Sequence, residues 1–179
     1  MKKYLIAGVI LVLAVVAVLL IPNSLGSQVI SEAKYRGYLE YTPNEAVTLA
    51  YSRCTGCHDI EKTLKFCSTC GPPFAITIHS MKKYIEVMNK NGSDYRQFSD
   101  SEAVAITQVW NALVGNWEHD FREKDLIKML KGDVALTKLV RTPKEERPIE
   151  AALKGKRAPG VYNRDREIKS DFTKKSGKQ

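Results

Sequence analysis

Cys54-Thr55-Gly56-Cys57-His58 is the stretch of this chain best equipped for chemistry. Two thiols three residues apart can each add across a vinyl group of one haem. The adjacent imidazole then falls beneath the iron as its proximal ligand. CxxCH is the attachment signature of c-type haem. The same residues could instead form half of a zinc site, which needs two further ligands. Cys67-Ser68-Thr69-Cys70 could supply those. Three features favour haem. An apolar N-terminal segment directs the chain out of the cytoplasm, where such haem is attached; a capped helix leads straight into Cys54; and methionines downstream can close the sixth position. A second haem on Cys67 and Cys70 is not expected, because Gly71 stands where its histidine would be. In an exported chain that pair oxidises to a local disulfide pinning the loop. The alternative is a redox-active dithiol tuned for exchange, which no surrounding βαβ pattern supports.

The elements that must position this motif follow from caps and periodicity. Thr42-Pro43-Asn44-Glu45 starts a helix, with threonine at the N-cap, proline at the first helical position and glutamate at N3. That helix carries Ala46, Val47, Leu49, Ala50 and Tyr51. Residues 59–76 read as a loop ending at Gly71-Pro72-Pro73. A second helix is predicted from Thr77 to Lys90, with Ile78, Met81, Ile85 and Met88 at helical spacing and Asn91-Gly92 as its stop. Ser99-Asp100-Ser101-Glu102 opens a third, carrying Ala103, Ile106, Val109, Trp110 and Leu113 to Gly115-Asn116. One more helix fits between Phe121 and Leu139, interrupted at Gly132. From Thr142 onward, three prolines, many lysines and few large apolar residues predict an extended or disordered segment.

These elements resemble the class I cytochromes c over roughly residues 42–117. The matching parts are the helix 43–53, the motif 54–58, Gly71-Pro72, a downstream methionine and a closing helix. The resemblance implies a small all-α domain with one covalent haem c. It also implies that the carbonyl of Pro72, or of Pro73, accepts the Nδ1–H of His58 and so fixes the ring. Tyr84-Ile85-Glu86-Val87-Met88 is similar to short mono-haem domains in which an aromatic-x-x-Val-Met helix supplies the distal ligand. Met88 is therefore the expected sixth ligand, with Met81, His79 or an open site as the alternatives. Those domains usually close with a Tyr-Leu pair, where this chain has Val109-Trp110. The expected cofactor residues are Cys54, Cys57, His58, Met88 and Pro72, with His58 and Met88 on the metal.

Before the domain, Lys2-Lys3 precede an apolar run from Leu5 to Ile21. Seventeen residues at helical rise make roughly 25 Å, enough for a membrane span. The lysines stay in the cytoplasm and the rest lies outside; cleavage after Gly26 would make the run a secretory signal instead. The expected organisation is an anchor or signal at 1–22, a linker at 23–41, the haem domain at 42–117, a helical extension at 118–140 and a basic tail at 141–179. The formal charge is +8, and its placement matters more than its total. Tyr4 to Val140 is neutral, with fourteen basic and fourteen acidic residues, whereas Arg141 to Gln179 carries twelve and six. A charge confined to the ends, with no nucleic-acid motif, argues against a nucleic-acid partner. It suits anionic lipid or an acidic partner surface. The expected function is single-electron transfer at the periplasmic face of the cytoplasmic membrane, alone or within a larger electron-transfer complex, with no catalytic acid, base or nucleophile in evidence. A haem-based sensor or gas-binding protein with a weak or vacant distal site is the alternative.

Overall fold

The computed structural model describes residues 23–65 and 71–161, and every regular element among them is helical. The apolar run at 5–21, Cys67 and Cys70, and the chain beyond Val161 lie outside the described residues. No helix among the described residues is long and apolar enough to cross a membrane. The chain divides into two units, Met1–Leu39 and Glu40–Gln179.

In the first unit, α1 runs from Asn23 to Tyr35, where the sequence suggests a linker. Good helix formers (Gln28, Glu32, Ala33, Lys34) and an i,i+4 pair, Glu32 with Arg36 at 2.6 Å, favour the helix. Gly37, at φ 79°, stops it. Tyr38 N–H reaches Ala33 O at 2.9 Å and Gly37 N–H reaches Lys34 O at 3.0 Å, the paired bonds of a Schellman motif.

The second unit is organised about one helix. Its α-helices are α2 (Pro43–Cys54), α3 (Glu61–Leu64), α4 (Phe74–Lys90), α5 (Asp100–Leu113), α6 (Glu123–Met129), α7 (Val134–Arg141) and α8 (Pro148–Ala152), with 3-10 turns at Glu118–Asp120 and Lys144–Glu146. Both expected capping boxes form. Thr42 N–H meets Glu45 Oε2 at 2.9 Å, and Ser99 Oγ accepts Glu102 N–H at 3.1 Å. α5 is buried on nearly every side, because α2, α4, α7 and α8 all pack on it. α2 turns Ala46 and Ala50 inward, both fully buried, and side chains that small let helix axes approach closely. α4 begins at Phe74 rather than Thr77: Pro73 O accepts the N–H groups of Ile76 and Thr77, so the proline pair abuts the helix instead of extending a loop. The loop read across 59–76 also contains the short helix α3. Gly132, at φ 88°, separates α6 from α7 where the interruption was expected.

The largest departure is at the C-terminal side. Residues 142–161 are folded into the domain rather than extended. Ile149, Leu153 and Ala158 enter the core, at 5%, 3% and 6% exposure, and burying an Ile or Leu contributes about 1.5–3 kcal/mol. Ala158 N–H satisfies the Leu113 carbonyl at the end of α5, at 3.1 Å. Arg147, with its side chain 2% exposed, holds Glu118 at 2.8 Å and Glu150 at 3.2 Å. Asn111 Nδ2 donates to both carboxylates, and Gln108 Oε1 accepts the N–H of Ile149 at the start of α8. Burial works against the Arg147 charge, but Glu118 and Glu150 outweigh it and hold the guanidinium proton more tightly than usual. The stretch at 118–140 is therefore part of the same core, not an appendage.

Candidate functional site

Cys54 is the last residue of α2. The helix closes over it through Thr55, whose N–H and hydroxyl both donate to Tyr51 O, at 3.0 and 2.8 Å. Cys54 and Cys57 are free thiols, the first half-buried and the second exposed. The indole Nε1–H of Trp110 donates to Cys54 Sγ at 3.3 Å. Burial pushes the Cys54 thiol above its ordinary pKa, partly offset by hydrogen bonds from Trp110 and Thr63. His58 is half-buried, with Nδ1 3.0 Å from the carbonyl of Asp59. The Pro72 carbonyl, expected opposite this ring, takes the Thr77 hydroxyl at 3.5 Å.

Arg53, one residue ahead of the motif, ties α2 to the loop before α5. Its Nη2 donates to the carbonyls of Arg96 and Gln97, both at 2.7 Å, and lies 3.5 Å from Glu102. The guanidinium also stacks over Phe98, 4.5 Å from the ring centre. Asn89 grips that loop from α4, donating to Tyr95 O at 2.7 Å and accepting its N–H at 2.8 Å.

Met88 is half-buried in the last turn of α4, which ends as expected: Gly92 is at φ 94°, and Ser93 N–H returns to Met88 O at 3.1 Å. Met81, Tyr84 and Val87 fall on the same side of α4 and are 37%, 58% and 54% exposed. His79 is drawn elsewhere, with Nδ1 3.2 Å from the buried carboxylate of Asp133, which also takes Lys82 Nζ at 2.9 Å.

The residue types at Cys54, Cys57, His58 and Met88 are those that could hold a covalent haem. Two free thiols stand at a helix end beside an imidazole, and a methionine stands on a second helix packed against the same α5. Met81, Tyr84 and Val87 leave an exposed apolar strip on α4. Among the described residues, no three His, Cys, Asp or Glu side chains gather to hold a bare metal ion. Sequence reasoning does not find the contact of Trp110 with Cys54, because helical spacing marks that indole only as core. Arg53 carries no local signal for its partners either, and Asp133 signals only a helix N-cap. No family model, no curated protein and no solved structure matches this chain.

Proposed function

We propose that the chain is a class I-like mono-haem c-type cytochrome, carrying single electrons at the outer face of the cytoplasmic membrane, with the N-terminal apolar run as its anchor. The observation that carries this reading is the free Cys54-x-x-Cys57-His58 set at the end of a capped helix braced by α5. Cys54 and Cys57 would hold a haem through thioethers, and His58 would ligate its iron. Met88 would supply the second iron ligand. Pro72, just before α4, is the position whose carbonyl the resemblance assigns to the His58 ring, although here the Asp59 carbonyl faces Nδ1. A bound haem would supply a one-electron couple, and methionine ligation would raise its potential. Trp110, buried against Cys54 Sγ, would keep water from a thioether formed there, and Arg53 fixes the loop that follows α4. A basic C-terminal tail suits a redox protein or a membrane electron-transfer complex with an acidic surface.

Mass spectrometry of the mature protein tests this directly. The expected result is one haem added to the polypeptide and retained through denaturation and acid-acetone extraction. A bare-chain mass, or haem lost on extraction, rejects the reading. Uptake of carbon monoxide by the reduced wild-type protein would instead favour a gas-binding role.

A further inference from the structure

Trp110 does more than fill the core. Its indole is fully buried and its Nε1–H reaches Cys54 Sγ at 3.3 Å. The ring of Phe74 stands 6.5 Å away, centre to centre, and Trp117 lies 5.4 Å beyond it. At such spacings the ring edges are at or near van der Waals contact. Trp117 is half-buried, and its Nε1–H donates to Gly71 O at 2.8 Å, which fixes the ring. The chain has two tryptophans, and both belong to this series.

Resting on the haem reading above, we propose that Trp110, Phe74 and Trp117 form a through-protein electron route between the Cys54 sulfur and the surface at Trp117. Tunnelling falls off less steeply across contacting π systems than across saturated side chains or gaps. In this series the successive ring centres are 6.5 and 5.4 Å apart. In the step itself, one electron leaves an external one-electron donor and arrives at the ferric iron. The donor is oxidised by one unit, the iron is reduced by one, and no bond or proton moves. The aromatic rings stay in their closed-shell state and act only as the bridge.

The fold supplies a place to test it. His119, two residues from Trp117, is the exposed histidine of the three in the chain, its side chain 68% accessible. A photoactive ruthenium complex bound to His119 of the haem-loaded full chain can inject an electron on a flash, and the rate of haem reduction is then read optically. A control label sits on Asp94→His in a His119→Gln background, on the exposed loop after α4. Trp117→Leu should slow injection from His119 several-fold and leave the Asp94→His label unchanged. Trp117→Phe should restore most of the rate. Phe74→Leu, checked by thermal melting for an intact fold, should slow the His119 label in the same way. Rates from His119 that ignore Trp117→Leu, or that fall equally for both labels, overturn the route. The haem reading fails separately and earlier, on a bare-chain mass, so the two failures are distinguishable.

Discussion

Truncating Met88 separates ligation from packing, because its side chain is only half-buried and the turn around it is held by backbone bonds. Ser93 N–H stays on the residue 88 carbonyl whatever the side chain. Met88→Ala should therefore cost less than the 2–5 kcal/mol typical of a buried methionine truncation. Its effect should be spectroscopic: loss of the weak far-red sulfur-to-iron band in the oxidised protein and carbon monoxide binding in the reduced one. Met81→Ala, 37% exposed and two turns earlier, should keep the band. The reverse pattern would move the distal ligand to Met81. At this scale, what the chain reveals depends on contiguity. The reading proposed for Cys54, Cys57 and His58 can be made from the chain because it rests on five consecutive residues. Trp110 meets Cys54 across 56 positions and Arg147 meets Glu118 across 29. Nothing local distinguishes that tryptophan from a core residue, or that arginine from a solvated one.

Helix boundaries divide along the same line. Thr42, Ser99 and Asn91-Gly92 act on N–H and carbonyl groups within a few residues, so those ends are readable from the chain. α8 is only five residues, Pro148–Ala152, too short to be stable by propensity. It exists because Ile149 and Leu153 find the core and Gln108 caps its start, which periodicity cannot see. The joint between α4 and α7 is of this tertiary kind. Asp133 caps α7 through Leu136 N–H at 3.1 Å and receives Lys82 and His79 from α4, while Lys82 also holds Asp100 at 2.7 Å. Burial raises the Asp133 pKa, but the bonds from Lys82, Leu136 and His79 outweigh it, leaving the carboxyl below its ordinary value of 3.8. A depressed carboxyl contributes stability that is complete above its unfolded pKa and is lost as pH falls through the folded one. Asp133→Asn should therefore lower denaturant stability near neutral pH and flatten its decline below about pH 4. Parallel acid limbs for the two proteins, in urea titrations at pH 3 and pH 6, would show that the joint does not carry this linkage.

Over the whole molecule, the C-terminal charge divides between two different roles. Residues 141–161 and 162–179 each carry six basic and three acidic residues, a net +3 apiece. In the first stretch Arg147 is committed to a buried pair, and Ile149, Leu153 and Ala158 close the core. A chain ending at Val140 loses all four and leaves Glu118 buried without its cation. Breaking a buried pair in this way costs about 3–5 kcal/mol, a large share of the 5–15 kcal/mol typical of a domain. That truncation should fail to fold and fail to retain haem. A chain ending at Val161 keeps every one of those contacts, so its melting temperature and haem spectrum should match the full chain. It should differ only in docking. Each basic residue near an anionic surface contributes about 1 kcal/mol, and salt screens that attraction within a Debye length of about 8–10 Å. Reduction of the protein by its native membranes, followed against ionic strength, should be slower for the shorter chain at low salt and converge with the full chain as salt rises. Identical rates at every ionic strength would mean that residues 162–179 do not dock the protein to its partner. A lowered melting temperature would instead extend the folded domain past Val161.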